Sequence, residues 1–141
     1  MSDVVIVDSS VFNKLYLNEA GRETAVALFE AASVGKIQLR APQLLVYEVL
    51  ATAHHYAIDC ALILNFLDSQ IGKTLVLTEP TKNHWKKAFE ISNQGHKKSG
   101  YPSLYDAIYH AIAIVEKGQF LTADKRHYEK TKFLGSIALL D

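Results

Sequence analysis

Residues 4–10 read Val-Val-Ile-Val-Asp-Ser-Ser, and this stretch decides the fold. Four consecutive β-branched residues without polar alternation are typical of a strand that is buried on both faces, as in parallel sheets covered by helices. The run ends at the carboxylate of Asp8, and the hydroxyls of Ser9 and Ser10 can begin a helix. The stretch therefore predicts a strand that leads into a helix, with an acidic residue at the junction.

The rest of the chain repeats this alternation of strand and helix. Further short apolar runs, bounded by Gly, Pro or polar residues, predict strands at 37–41, 75–78, 119–123 and 136–140. Apolar residues at helical spacing, with capping residues before them, predict helices at about 9–18, 23–33, 42–57, 59–72, 81–93, 103–118 and 125–130. Strands separated by helices predict an α/β fold with a mainly parallel sheet.

The composition is that of an ordinary globular protein. The 141 residues are 49% hydrophobic and 21% charged, and this length predicts a single domain over residues 1–141. No run approaches the ~20 apolar residues of a membrane span, and the first residues, with Asp3 and a short apolar run, do not match a signal peptide. Cys60 is the only cysteine, so no internal disulfide can form and we expect a cytoplasmic protein.

The net charge is zero, but the charges are unevenly distributed. Residues 1–81 hold five Lys/Arg and nine Asp/Glu, whereas residues 82–132 hold ten Lys/Arg and five Asp/Glu. The zero balance argues against a generic nucleic-acid coat protein. The basic second half could contact phosphates, and an ordinary solvated surface is the alternative.

Four carboxylates lie beside or within apolar segments: Asp8, Glu48, Asp106 and Asp124. Carboxylates are normally solvated and rarely lie in such segments without a partner. In an open parallel sheet, ligands bind at the carboxyl ends of the strands. Asp8 and Asp124 each directly follow a strand, so both should project from that edge. A divalent cation shared by the four residues is the simplest partner.

Each of these carboxylates also has a structural interpretation. Asp8 and Asp124 could cap the helices that follow them. Ser103 and Asp106 have the spacing of a capping box, although Glu or Gln is the usual residue at the last position. Glu48 could pair with a Lys or Arg across the core. The residues taken singly leave these alternatives open.

Several other catalytic classes lack their motifs. The histidines form no HExxH pattern and there is no paired CxxC, so a zinc site has little support. There is no GxGxxG and no P-loop to hold a nucleotide, and no Gly-x-Ser-x-Gly for a serine nucleophile. A metal-dependent phosphatase or phosphoacceptor is a rival that the Asp-Ser-Ser context does not favour.

In their order and spacing, these segments resemble the PIN-domain family, and in size and layout the chain is similar to VapC-type toxin ribonucleases. The matching segments are 6–11, the helix that contains Glu48, 103–113 and 120–126, so the resemblance runs through nearly the whole chain. It implies a five-stranded sheet of order 3-2-1-4-5 between helices. The first and fourth strands are then neighbours at the point where the order reverses, which is where such sheets bind ligands.

The resemblance also implies an activity, a metal-dependent endoribonuclease that cuts single-stranded RNA and leaves a 5′-phosphate and a 3′-hydroxyl. The implied catalytic residues are Asp8, Glu48, Asp106 and Asp124. Of these, Asp8, Asp106 and Asp124 would bind Mg²⁺ or Mn²⁺, while Glu48 would act through water or orient it. Thr122 matches a hydroxyl residue that commonly supports the site in the family. From their positions in the sequence, Ser9 and Ser10 could also orient a carboxylate or a metal-bound water, and Lys125 and Arg126 could hold flanking phosphates.

One departure from the family pattern is visible. Some relatives carry a further acidic residue shortly after the fourth one, where this chain has Lys125, Arg126 and His127. The departure argues against a full set of ligands for two metal ions.

The implied partners are an RNA substrate, a cognate antitoxin protein and a second copy of the chain. The helices at about 23–33 and 43–71 carry more apolar residues than a small domain needs to bury: Val26, Leu28, Phe29, Leu44, Leu45, Leu50, Ile63, Leu64, Phe66 and Leu67. Such surplus can form an interface, or it can all be core. The alternative functions are a non-catalytic PIN module that binds RNA or protein, and an RNA-processing nuclease without an antitoxin.

Overall fold

The computed structural model describes residues 3–140, and its centre is a sheet of five parallel strands. The strands are β1 (Asp3–Val7), β2 (Ile37–Ala41), β3 (Leu75–Leu77), β4 (Gln119–Thr122) and β5 (Ile137–Leu139). Their order is β3-β2-β1-β4-β5, and every pair of neighbours is parallel. The predicted α/β class and the strand order implied by the resemblance are therefore confirmed.

The described residues also form seven helices that connect the strands. They are α1 (Ser9–Asn13), α2 (Arg22–Ser33), α3 (Leu44–His55), α4 (Cys60–Gln70), α5 (Lys82–Ser92), α6 (Leu104–Val115) and α7 (Lys125–Thr131). A short 3₁₀ helix, Lys132–Leu134, follows α7 and was not predicted. Within residues 3–140, none of these helices combines the length and apolar character that crossing a membrane requires.

Capping residues explain where most of the helices begin. Asp59, Thr81 and Ser103 lie at the N-caps of α4, α5 and α6, and each side chain accepts a hydrogen bond from a backbone N–H in the first turn. The sequence predicted these three caps. Such bonds satisfy N–H groups that have no partner inside the helix, so the local sequence is sufficient to place the helix start.

The first helix differs from the prediction at both ends. Asp8, rather than Ser9 or Ser10, is its N-cap and accepts a hydrogen bond from the backbone N–H of Val11. The helix ends at Asn13 instead of near residue 18. From Lys14 to Tyr16 the backbone N–H groups donate to carbonyls three residues earlier, and the Tyr16 hydroxyl donates to the Asn13 side chain at 2.7 Å.

The sheet is buried on both sides, as the β-branched run of β1 predicted. Ile6 and Val7 have no exposed surface, and α6 is buried from Ala107 to Ala113. Gly118 makes the approach of β4 to β1 possible. A Cβ at Gly118 would lie 2.5 Å from the backbone oxygen of Val4, so any larger residue there must push the two strands apart.

The register of β1 and β4 determines where the candidate site lies. Val7 of β1 is opposite Leu121 of β4. The next residues of the two strands, Asp8 and Thr122, therefore meet at the carboxyl edge of the sheet. β1 and β4 are also the two strands at which the order of connections reverses, so a crevice is expected beside them.

Candidate active site

The carboxyl edge of β1 and β4 holds a cluster of hydroxyls around the carboxylate of Asp8. Thr122 Oγ1 donates to Asp8 Oδ2 at 2.5 Å, and Ser10 Oγ donates to Asp8 Oδ1 at the same distance. The two hydroxyls in turn accept backbone N–H groups, Thr122 from Asp124 at 3.1 Å and Ser10 from Ala123 at 2.9 Å. Both oxygens of Asp8 are thus held in one orientation, and the ends of two strands are joined.

The environment of Asp8 disfavours its charged form. Burial raises the pKa of Asp8 from 3.8 to about 6, because the carboxylate loses its hydration, and the charge of Glu48 adds to the rise. The hydrogen bonds from Ser10, Thr122 and the Val11 N–H act in the opposite direction but are weaker than the effect of burial. A nearby cation would relieve this unfavourable state.

Glu48 projects from α3 towards α6, where the hydroxyl of the buried Tyr109 donates to its Oε1. Burial raises the pKa of Glu48, and the charge of Asp106 raises it further, whereas hydrogen bonds from Tyr109 and Ser9 lower it. Among the residues that the structure describes, no Lys or Arg forms an ion pair with Glu48. The structural alternative for Glu48, an ion pair with a Lys or Arg across the core, is therefore not formed among the described residues.

Asp106 lies in the first turn of α6, but its side chain does not cap the helix. Ser103 is the cap, and its Oγ accepts the backbone N–H of Asp106 at 3.1 Å. The reciprocal bond of a capping box, from the Ser103 N–H to the Asp106 carboxylate, is not formed in the described part of the chain. The carboxylate is 42% exposed and lies 3.9 Å from Nδ1 of His127.

Asp124 is a helix cap and also a neighbour of the other carboxylates. Its Oδ1 accepts the backbone N–H of His127 at 3.2 Å, so it is the N-cap of α7. The ring of His127 is buried. Burial lowers the pKa of this imidazole, while the charges of Asp106 and Asp124 act to raise it. His127 is therefore within electrostatic reach of both carboxylates.

The structure brings the four carboxylates to one region without closing them into a finished metal centre. The charges of Asp8, Glu48 and Asp106 all act on Tyr109, and those of Asp106 and Asp124 act on His127. Within residues 3–140, no three His, Cys, Asp or Glu side chains form a group that could already hold a metal ion. The fit to a cation rests on donor chemistry, because repelling carboxylate oxygens suit Mg²⁺ or Mn²⁺.

Other predicted residues lie close by. Ser9 hydrogen-bonds to Glu48, whereas Ser10 and Thr122 hydrogen-bond to Asp8. Lys125 and Arg126 are exposed in the first turn of α7, directly after Asp124.

Tyr109 and the position of His127 were not predicted to belong to the site. Tyr109 follows Asp106 by three residues, and His127 follows Asp124 by three. This spacing places each side chain near a carboxylate on one helix face, and it is the signal that could have identified both.

A comparison with protein-family models matches residues 5–133 to the PIN domain. The chain belongs to the PIN domain family. All four carboxylates lie within the matched residues, so the resemblance seen in the sequence is confirmed at the level of the family. A search of the curated proteins finds no sequence match to this PIN domain.

Among solved structures, this PIN domain is similar to VapC20 of Mycobacterium tuberculosis, which is described as a toxin that cleaves the sarcin-ricin loop. The sequence identity is 17% and the TM-score is 0.63, over 84% of this chain and 86% of that one. At this identity the likeness establishes the shared fold.

Proposed function

We propose that this PIN domain is a metal-dependent endoribonuclease that cuts single-stranded RNA. The observation that carries the proposal is the state of Asp8. This carboxylate is held by two hydroxyls at the carboxyl edge of the sheet, its pKa is raised to about 6, and the charge of Glu48 acts on it. Such an arrangement is unfavourable in a purely structural protein and becomes favourable when a cation binds.

Asp8, Asp106 and Asp124 are the residues that would hold Mg²⁺ or Mn²⁺. When bound, the cation would lower the pKa of a water molecule and offset negative charge on the scissile phosphate. Ser10 and Thr122 fix the orientation of Asp8 before any ligand arrives, so less side-chain ordering is needed at binding.

Glu48 is the residue that we assign to orienting the attacking water and accepting its proton. The pKa of Glu48 is raised towards neutral pH, which suits a general base. Tyr109 holds one oxygen of Glu48 in place. In-line attack on the phosphate leaves a 5′-phosphate and a 3′-hydroxyl. Lys125 and Arg126 are exposed beside Asp124 and would contact neighbouring phosphates.

The test is cleavage of a labelled single-stranded RNA pool in Mg²⁺, in Mn²⁺ and in EDTA. We expect products only with metal, and none from an Asp8→Asn protein. Asp59→Asn is a matched control. Asp59 is also an N-cap carboxylate, but it caps α4 and is not one of the four carboxylates of the candidate site. Strong cleavage in EDTA, or no cleavage with either metal, contradicts the proposal. RNA binding without cleavage favours a non-catalytic module.

We further propose that the protein acts in the cytoplasm as the toxin of a toxin–antitoxin pair and forms a homodimer. The similarity of the fold to VapC20 supports the first part. Exposed apolar side chains on α3 and α4 support the second, with Tyr47 and Leu62 each 65% exposed. Most of the apolar residues expected to be surplus are core or partly buried, and among them only Leu64 is exposed.

Light scattering at tens of micromolar, a concentration at which a standard interface is populated, tests the dimer. A monomer at that concentration contradicts it. Co-purification with the product of a neighbouring small gene tests the antitoxin, and the absence of such a gene favours an RNA-processing nuclease.

A further inference from the structure

We propose that a basic pocket beside the candidate active site binds the single-stranded RNA that flanks the cleavage position. The pocket, which we call the flanking pocket, is an open surface depression of about 400 Å³ that is lined by Gly95, His96, Lys97, Lys98 and Phe133. This inference rests on the proposed ribonuclease function. It adds a second contact region for the substrate, away from the four carboxylates.

The loop that forms one wall of the flanking pocket has a defined shape. The backbones of His96 and Gly100 exchange two hydrogen bonds, at 3.1 and 2.7 Å, and close a tight turn. The backbone N–H of Lys98 also donates to Nδ1 of His96 at 3.2 Å. A Cβ at Gly95 would lie 2.5 Å from the backbone oxygen of Gly100, so the close approach needs glycine. The turn therefore presents Lys97 and Lys98 from a fixed position.

The charge at the flanking pocket is positive and mostly uncompensated. Lys97 and Lys98 are exposed, and neither forms an ion pair within residues 3–140. Glu129 is an acidic residue that interacts electrostatically with His96 of the loop. It is already engaged by Lys132 at 2.8 Å, and its pKa is lowered chiefly by that contact and slightly by His96. A polyanion such as RNA matches this surface.

An exposed aromatic ring lies among these lysines. Phe133 is 55% exposed on the 3₁₀ helix that follows α7. A solvent-facing phenyl ring with cations around it is the combination that holds single-stranded nucleic acids, since every base can stack on an aromatic face while the phosphates meet the cations.

The position of the flanking pocket relative to the carboxylates favours the RNA strand over a protein partner. The loop leads directly into Ser103 and Asp106 at the start of α6, and α7 leads from Asp124 to Lys130, whose Cε lies 3.9 Å from a Cβ built at Gly100. At 1.5 Å per helical residue, Lys130 is about 9 Å from Asp124 along the axis. A strand cut at the carboxylates can therefore continue into the flanking pocket.

The chain offers a matched control surface on α5. Phe89 is 58% exposed and lines a pocket with Lys82, Trp85, Lys86 and Glu90, so this pocket also combines two lysines with an exposed aromatic ring. The first turn of α5 is held to the far end of α6 by the His84–Glu116 contact at 3.3 Å. This places Lys82 and Lys86 away from Asp106. Because this surface also carries two lysines and an exposed Phe but lies elsewhere on the molecule, its variants separate specific from general effects on RNA binding.

The first experiment measures the anisotropy of a fluorescein-labelled 12-nucleotide oligouridine across a NaCl series, with every protein carrying Asp8→Asn to prevent cleavage. The double variant Lys97→Ser, Lys98→Ser tests the cations. The slope of the logarithm of its RNA association constant against the logarithm of the NaCl concentration should be smaller by about 1.4, or roughly 0.7 per lost phosphate contact. Phe133→Leu should weaken binding about fivefold at every salt concentration without changing the slope, and Phe133→Tyr should restore it. Lys82→Ser with Lys86→Ser, and Phe89→Leu, should remain within about twofold of the parent.

The second experiment repeats these substitutions with Asp8 intact and compares kcat/KM for the 12-mer and for a dinucleotide. The flanking-pocket variants should lose activity only on the 12-mer. If the parent protein binds RNA but does not cut it, the proposed function is contradicted, whereas the proposal for the flanking pocket is not. Equal losses in the α5 controls, or no loss in the flanking-pocket variants of a parent that cuts RNA, overturn the pocket alone. The proposal for the flanking pocket is also overturned if its variants bind RNA as tightly as the parent does but no longer bind a protein partner.

Discussion

The carboxylate of Asp8 links the stability of the folded chain to pH. Its pKa is raised from 3.8 to about 6 by burial, so the folded state binds a proton at Asp8 more readily than the unfolded state does. The resulting stabilisation is fully present below pH 3.8 and is lost as the pH rises through about 6. The rise in pKa corresponds to roughly 2–3 kcal/mol.

We therefore expect Asp8→Asn to abolish cleavage and, in EDTA at pH 7.5, to raise the free energy of unfolding by about 1 kcal/mol. The relief of the buried charge is partly offset by weaker hydrogen bonds from Ser10 and Thr122. Urea denaturation at pH 4.5 and pH 7.5 measures the effect, and the gain should shrink at the lower pH. A variant that is less stable than the parent at pH 7.5 contradicts this account of Asp8.

Asp106 and its neighbour Ser103 separate catalysis from helix capping. Because the Ser103 hydroxyl accepts the cap hydrogen bond, Ser103→Ala should cost about 1 kcal/mol of stability and spare cleavage. Asp106→Asn should do the reverse, abolishing cleavage while the melting temperature in EDTA is unchanged or higher. Thermal melts in EDTA, paired with cleavage assays in metal, give both results. An Asp106→Asn protein that melts lower and cuts at the parent rate removes Asp106 from the site.

Burial raises the pKa of Glu48, and the hydrogen bond from Tyr109 opposes this rise. The Tyr109 hydroxyl lowers the pKa of Glu48 by donating to the carboxylate. Tyr109→Phe should therefore raise that pKa further, so that the acidic limb of the pH–rate profile moves to higher pH. We expect the rate near neutral pH to fall about tenfold, which is less than the roughly 10²-fold or greater cost of losing general-base catalysis altogether, because Glu48 itself remains. An unshifted acidic limb in Tyr109→Phe would show that Glu48 is not the titrating base.

At the scale of helices and strands, the sequence was sufficient wherever the signal is local. The caps Asp59, Thr81 and Ser103 and the β-branched run of β1 placed their elements correctly, because each depends on a few neighbouring residues. The end of α1 could not be foreseen. It depends on the bond between Tyr16 and Asn13 and on packing against residues distant in the sequence.

The contact between Glu48 and Tyr109 shows the same limit within the candidate site. The two residues are 61 positions apart, on α3 and α6. Their pairing depends on how the two helices pack, which no local pattern encodes. The position of Asp8 was predictable, in contrast, because a residue that directly follows a parallel strand must lie at its carboxyl edge. Asp124 lies two residues beyond the end of β4 and is close to the same edge.

Gly118 provides a test of how the pairing of β4 with β1 supports the site. Gly118→Ala places a methyl group 2.5 Å from the backbone oxygen of Val4. We expect a loss of about 1–3 kcal/mol, since the clash must be relieved by moving backbone, and a fall in cleavage because Thr122 moves relative to Asp8. Thermal melts and cleavage rates report the two effects.

Gly72→Ala is the control for Gly118→Ala. Gly72 has φ +83° and no atom within 4 Å of an added Cβ, so the substitution introduces only backbone strain. It should lower stability by about 1–2 kcal/mol and leave the cleavage rate of the folded protein unchanged. Full activity in Gly118→Ala would mean that the site does not depend on the close approach of the two strands.

For the molecule as a whole, the order of the strands was not in the periodicity of the sequence. Alternating strands and helices predict a parallel sheet but allow several orders. The order 3-2-1-4-5 came from the resemblance to the PIN family and is the order observed. This order brings Asp8 and Asp124 to one edge of the sheet, so the topology places carboxylates that are distant in the sequence in one candidate site.

Metal binding should stabilise the whole fold. A cation that binds only the folded state, at a hundred times its Kd, adds about 2.7 kcal/mol to the free energy of unfolding. We expect the melting temperature to rise with Mg²⁺ or Mn²⁺ and to return to its starting value with EDTA. Asp8→Asn should lose the response, and the remote cap variant Asp59→Asn should keep it. Equal responses in the two variants would place the bound cation elsewhere.

The insertion of β4 next to β1 also has a consequence for protein synthesis. The hydroxyl that fixes Asp8 belongs to Thr122, 114 positions later in the chain. A ribosome therefore releases β1 and α1 long before it makes the strand that completes their surroundings. Nascent chains that stop before residue 119 leave one edge of β1 open and lack Thr122 and Asp124. The cleaving activity that we propose can thus begin only after β4 and Asp124 have been made, and fragments that stop before residue 119 should not cleave RNA.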